Sequence, residues 1–99
     1  MGARQGRAWL GVSHFNIEFK AAARKSLEGL EKKDQVRIYA AIELLGDNPR
    51  PPLAVKIKGG DYFRVRVGDY RILYSIDSGL LIILIIDIGH RREIYRSAN

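Results

Sequence analysis

The chain has 99 residues with 17 Lys+Arg against 11 Asp+Glu, a formal charge of +6. That length fits one ordinary domain, and a hydrophobic fraction of 46% is enough to bury a core, which excludes wholesale disorder. Without cysteine there can be no disulfide framework, thiolate metal site or cysteine nucleophile, so a reducing, cytoplasmic setting is expected.

His14 and His90 are the only imidazoles, so neither a protein-built metal site nor a cofactor is expected. The longest apolar run, Leu80 to Ile86, is seven residues, far short of the ~20 a spanning helix needs, and no membrane association is expected. Residues 1–14 carry Arg4 and Arg7, no acid and no apolar stretch of signal-peptide type. They read as a dispensable basic extension, expected to be flexible, ahead of a domain over residues 15–96.

Phe15-Asn16-Ile17-Glu18-Phe19 alternates apolar and polar residues, as a half-buried strand does. The pattern then turns helical from Lys20 to Leu27, with Glu28-Gly29 as the stop. A second helix is expected over Lys32 to Leu45. Its apolar face is read as Val36, Tyr39 (or Ala40), Ile42 and Leu44 or Leu45, and Gly46-Asp47-Asn48-Pro49 ends it. Asn48 to Pro52 holds all three prolines and reads as a rigid loop, and Lys56-Ile57-Lys58-Gly59-Gly60 as a basic turn. Three strands follow, Tyr62–Val67, Tyr70–Asp77 and Leu80–Ile88, joined at Gly68-Asp69 and Ser78-Gly79 by two-residue hairpin turns. The last is apolar on both faces and belongs in the sheet interior. The expected fold class is α+β, a single domain of order β-α-α-β-β-β. A twisted, mainly antiparallel sheet carries a helical hairpin on one face.

Those turns fix a register. Arg66 faces Arg71 and Val65 faces Ile72 across the first, while Tyr74 faces Ile83 and Arg71 faces Ile86 across the second. Phe63, Val65, Ile72, Tyr74, Ile83 and Ile85 then share the face under the helices. Arg64, Arg66, Arg71 and Leu73 share the helix-free face. Opposed arginines repel, and with Asp69 and Asp77 placed at the hairpin tips no carboxylate is expected among them. Such a cluster invites an external anion, although arginine on an exposed face can equally be a soluble residue whose stem covers apolar surface. The stretch Gly89-His90-Arg91-Arg92-Glu93-Ile94-Tyr95-Arg96 is expected to bring further arginines, a histidine and a tyrosine to the same edge. Arginine offers planar donors to phosphate, and tyrosine can stack on a base or exchange a proton. Tyr95 could instead cap the core, and His90 could be a solvated turn residue.

The segment Phe63-Arg64-Val65-Arg66-Val67-Gly68-Asp69-Tyr70-Arg71-Ile72-Leu73-Tyr74, followed by Gly89 to Arg96, closely resembles the RelE branch of the RelE/ParE toxin superfamily. The likeness covers about Phe15 to Arg96. It implies a RelE/ParE-like microbial RNase-type fold and the toxin of a type II toxin–antitoxin pair, a metal-independent endoribonuclease that enters the ribosomal A site and cuts messenger RNA. Carried over on matching positions, Arg71, Arg91 and Tyr95 would be catalytic. Arg64 and Arg66 match two basic positions that are commonly lysines, and with Lys56, Lys58, His90 and Arg92 they would hold RNA phosphates. A 2′-hydroxyl would attack the adjacent phosphate, Tyr95 helping to remove its proton.

The resemblance also implies a cognate antitoxin as partner, with operator DNA reached only indirectly through it. The chief alternative is a ParE-like inhibitor of DNA gyrase that cuts no RNA; the combination of Arg71, Arg91 and Tyr95 favours the nuclease. An inactive corepressor and a generic nucleic-acid-binding module are further alternatives.

Overall fold

The computed structural model describes residues 14–57, 59 and 61–90. Their elements are β1 (Asn16–Phe19), α1 (Ala21–Glu28), α2 (Lys32–Asp47), β2 (Val55–Lys56), β3 (Tyr62–Val67), β4 (Tyr70–Asp77) and β5 (Ile82–His90). One five-stranded sheet results, in the order β1-β5-β4-β3-β2, antiparallel throughout except that β1 runs parallel to β5. This is the expected α+β arrangement with one strand more. Lys56, read from sequence as the start of the basic turn, and Val55 just before it pair with Phe63 and Arg64 as a short edge strand.

The two helices cover one face. α1 buries Ala23 and Leu27 and stops at Gly29, whose N–H reaches the Lys25 and Ser26 carbonyls at 3.2 Å. α2 runs two residues past the expected end and buries Ile38, Ile42 and Leu45. Of the face read from sequence, Ile42 and Leu45 are buried as expected, while Val36, Tyr39 and Leu44, the last two read with Ala40 and Leu45 as alternatives, are 59%, 43% and 67% exposed. Both stripes have helical spacing, so periodicity alone does not choose between them. The close approach of the chain before β1 does. Phe15 N–H donates to the Gly46 carbonyl at 2.8 Å, and a side chain at Gly46 would meet the His14 ring at 2.7 Å. Gly46 therefore allows contact within the helix instead of ending it. His14 joins the folded domain, its Nδ1 at 2.8 Å from Asp47 Oδ1.

The β3–β4 hairpin keeps the expected register, with Arg66 opposite Arg71 and Val65 opposite Ile72. Gly68 takes φ +61°, as the first central residue of a II′ turn does. Phe63, Val65, Ile72, Tyr74, Ile83 and Ile85 all lie in the core beneath the helices. The β4–β5 hairpin differs. Asp77 pairs with Ile82, so its loop is Ser78–Leu81 and the strand starts two residues later than expected. Asp77 Oδ1 accepts from the Leu80 N–H at 2.9 Å, Leu81 takes φ 57°, and its carbonyl accepts from Asn16 N–H at 2.8 Å. Tyr74 accordingly faces Ile85, not Ile83.

Beyond that point the register shifts again, because Leu73 faces Asp87 and Arg71 faces Gly89. Ile86 is the extra residue of a β-bulge. A bulge reverses the alternation of the side chains that follow. Ile83 and Ile85 point to the core before it, and Ile88, 2% exposed, does so after it. Strict alternation would have sent Asp87 into the core and Ile88 out of it.

Deleting Ile86 should therefore be tolerated, because plain alternation from Ile85 then leaves Asp87 outward and Ile88 inward. A loss of ~1 kcal/mol is expected, against ~3 kcal/mol or more for Ile88→Asp, which does force a carboxylate into the core. Urea denaturation of the two variants checks the difference.

Candidate nucleic-acid interface

Arg64 and Arg66 come from β3 and Arg71 from β4, all on the helix-free face. Arg66 lies directly across from Arg71, and Arg64 across from Leu73. With Leu53 and Val55 these guanidinium groups line a depression of about 250 Å³. β2 builds one wall, since pairing with Arg64 brings Val55 to this face. Arg71 is only 7% exposed although it is charged, in the centre of the sheet and opposite a second arginine. Like charges so placed lower stability, so the cluster concentrates positive potential at a cost to the fold.

The proline-rich loop that carries Leu53 is pinned from below. Tyr74, fully buried on the core face, donates its hydroxyl to the Pro49 carbonyl at 2.7 Å. Arg50 stands over the Phe63 ring at 5.5 Å, and Ala54 N–H closes a turn on the Pro51 carbonyl at 2.9 Å. Burial raises the Tyr74 pKa to about 12, partly offset by Arg50.

Three expectations about this face need correction. The bulge turns Asp87 onto it, opposite Leu73, so a carboxylate does stand beside the arginines. Its Oδ1 also accepts from the Ile88 N–H at 2.9 Å. His90 does not reach the cluster. It pairs with Tyr70 on the helix side, edge-on to that ring at a 6.1 Å centroid distance. Tyr70 in turn donates to Asp34 Oδ2 at 3.3 Å, and burial followed by the Asp34 charge raises its pKa. Lys56 shares the side of its partner Phe63, so its backbone position is on the face away from the arginines. Lys58, Arg91, Arg92 and Tyr95 lie outside the described residues. One cation the sequence reading missed is Lys20, which borders a neighbouring depression on the helix-free face. Its position just after β1 was the available signal.

The family model for the ParE toxin of the type II toxin–antitoxin system parDE matches residues 17–95. The chain is 34% identical over 88 residues to the toxin RelG of Mycobacterium tuberculosis, covering 83% of this chain and 97% of that protein. The chain belongs to the RelE/ParE superfamily of toxins. The fold agrees. The archaeal RelE–RelB complex from Pyrococcus horikoshii superposes with a TM-score of 0.72 at 26% identity, covering 79% of this chain and 96% of that one. The RelB–RelE antitoxin–toxin complex from Methanococcus jannaschii gives 0.64 at 28% identity, covering 81% and 96%. This RelE-like toxin has, among the described residues, no cluster of three or more His, Asp or Glu suited to a metal ion. Nor is any described helix long and apolar enough to cross a membrane.

Because the Tyr74 pKa is raised from 10.0 to about 12 on folding, its contribution is complete below pH 10 and lost as pH rises toward 12. The wild type should lose stability over that window more steeply than Tyr74→Phe. At neutral pH Tyr74→Phe should cost ~1–3 kcal/mol, since the Pro49 carbonyl loses its donor. Denaturation midpoints measured from pH 8 to 12 check both.

Proposed function

We propose that this toxin is a ribosome-dependent endoribonuclease that cuts messenger RNA in the A site and so halts translation in the cytoplasm. The observation that carries the reading is the convergence of Arg64, Arg66 and Arg71 on one open sheet face. The strand that pairs with Arg71 leads directly into the segment bearing Arg91 and Tyr95.

In the proposed reaction Arg71 grips the scissile phosphate, and Arg64 and Arg66 hold the phosphates beside it, with Lys58 and Arg92 extending the basic track. Tyr95 takes the proton of the 2′-hydroxyl. The freed oxygen attacks phosphorus and the 5′-oxygen leaves, giving a 2′,3′-cyclic phosphate and, once protonated, a 5′-hydroxyl end. A cation beside a phenol favours the ionised form that this step needs. Arg71 and Arg91 stabilise the charge that builds on the phosphorane, and arginine, with a pKa above ~12, serves better as a fixed charge than as an acid. The ribosome adds orientation of the strand.

A cognate antitoxin is the natural partner. Related toxins were solved as complexes with RelB, and a +6 chain attracts an acidic peptide. An apolar groove of about 580 Å³ between the end of α2 and the Pro51–Leu53 loop, with Leu44 and Leu53 exposed, offers that partner a hydrophobic contact.

A second reading is inhibition of DNA gyrase without RNA cleavage, favoured by the ParE description of the matching family model. Primer extension on a defined messenger in a purified translation system separates the two. A-site cuts that disappear without ribosomes are expected. Tyr95→Phe and Arg71→Ala should each lower cleavage by ~100-fold or more and abolish growth arrest, with antitoxin binding retained. Intact messenger together with arrested gyrase supercoiling would transfer the protein to the second reading.

A further inference from the structure

Next to the arginines, on the same helix-free face, lies a second depression of about 290 Å³ that the proposed reaction leaves unused. Its floor is apolar, formed by Leu73 of β4 with Leu84 and Ile86 of β5. Tyr62, 48% exposed, stands at its side, and Lys20 and Ser75 bring an ammonium and a hydroxyl to its lining. The register joins the two depressions. Leu73 is directly opposite Arg64, and Tyr62 precedes Arg64 by two residues on the same side of β3, ~7 Å along the strand.

An apolar floor, an accessible aromatic ring and two polar groups suit a flat, uncharged ring with a polar edge. They do not suit a phosphate. The register also places Glu18 of β1 on this side, opposite Leu84, where its charge disfavours an anion and leaves a neutral ring unaffected. The volume is just below the ~300–1,000 Å³ of small-ligand sites, which fits one base better than a nucleotide. An aromatic platform beside a positively charged track is how single strands are held without sequence-reading grooves.

We propose that this depression holds one nucleobase of the bound RNA, stacked on Tyr62 with its edge toward Lys20 and Ser75, while the neighbouring phosphate rests on Arg64. The inference builds on the RNA-binding reading of the arginine face and adds a base contact to it.

Fluorescence anisotropy at low salt tests it, using the full chain and short 2′-O-methyl oligoribonucleotides, which cannot be cut by 2′-hydroxyl attack. An abasic position is moved along the strand one nucleotide at a time. At one position it should weaken wild-type binding roughly 5- to 150-fold, the equivalent of ~1–3 kcal/mol per stacked base. Tyr62→Ala should bind intact and abasic strands alike, and Tyr62→Phe, which keeps the ring, should retain the wild-type preference. Equal binding of intact and abasic strands by the wild type would overturn the inference and leave the phosphate track standing. So would an unchanged preference in Tyr62→Ala. Weakened antitoxin binding by Tyr62→Ala, with no effect on RNA, would overturn it in favour of a protein contact. Failure of any strand to bind at low salt would remove both this inference and the reading beneath it.

Discussion

The β4–β5 ladder gains one residue between Leu73 and Tyr74, and the division of the sheet into an oily face and a basic face depends on it. β5 is apolar almost throughout, so hydrophobicity gives it little reason to prefer one face over the other. Ile83 and Ile85 bury beneath the helices, the bulge at Ile86 reverses the alternation, and Ile88 is then buried while Asp87 is turned away. The same reversal brings Gly89, which has no side chain, opposite Arg71. The core face is thus kept apolar, and the carboxylate of the strand is turned to the arginine side, despite a sequence whose simple alternation would bury it.

That separation is what permits a nearly buried Arg71 to stand opposite Arg66. Repulsion between the two is a local cost, carried by a core that runs from Phe15 through Tyr74 to Ile88. The proline-rich loop belongs to the same balance. Tyr74 reaches from the core to hold Pro49, and the loop then sets Leu53 against the arginines. Packing on the helix side in this way fixes part of the wall around the charges on the other.

Much of this was legible from residues alone. The β3–β4 register follows from a two-residue turn with glycine first, and it correctly placed all three arginines on one helix-free face. The alternation of Phe63, Val65, Ile72, Tyr74, Ile83 and Ile85 named about half of the core. Where the reading missed, two physical answers were locally equivalent. Val36 and Tyr39 extend the helical stripe of Ile42 and Leu45 as well as the buried Ile38 does. Gly46 reads as a stop until His14 and Phe15 are seen pressed against it. Ser78-Gly79 looks like a complete turn until Asp77 is seen closing a longer one. Asp87 at an inward position of an otherwise apolar strand was the one local sign that the alternation must break.

The sequence by itself determined the fold class and the arginine face, because turn chemistry and side-chain alternation act over a few residues, and its paired motifs carried the family resemblance. Only the tertiary structure decided which stripe of α2 is buried, that β2 exists, where the bulge falls, and that His90 turns from the arginines while Asp87 and Lys20 join their side. Those outcomes depend on distant segments meeting, and neighbours in the chain carry no record of that.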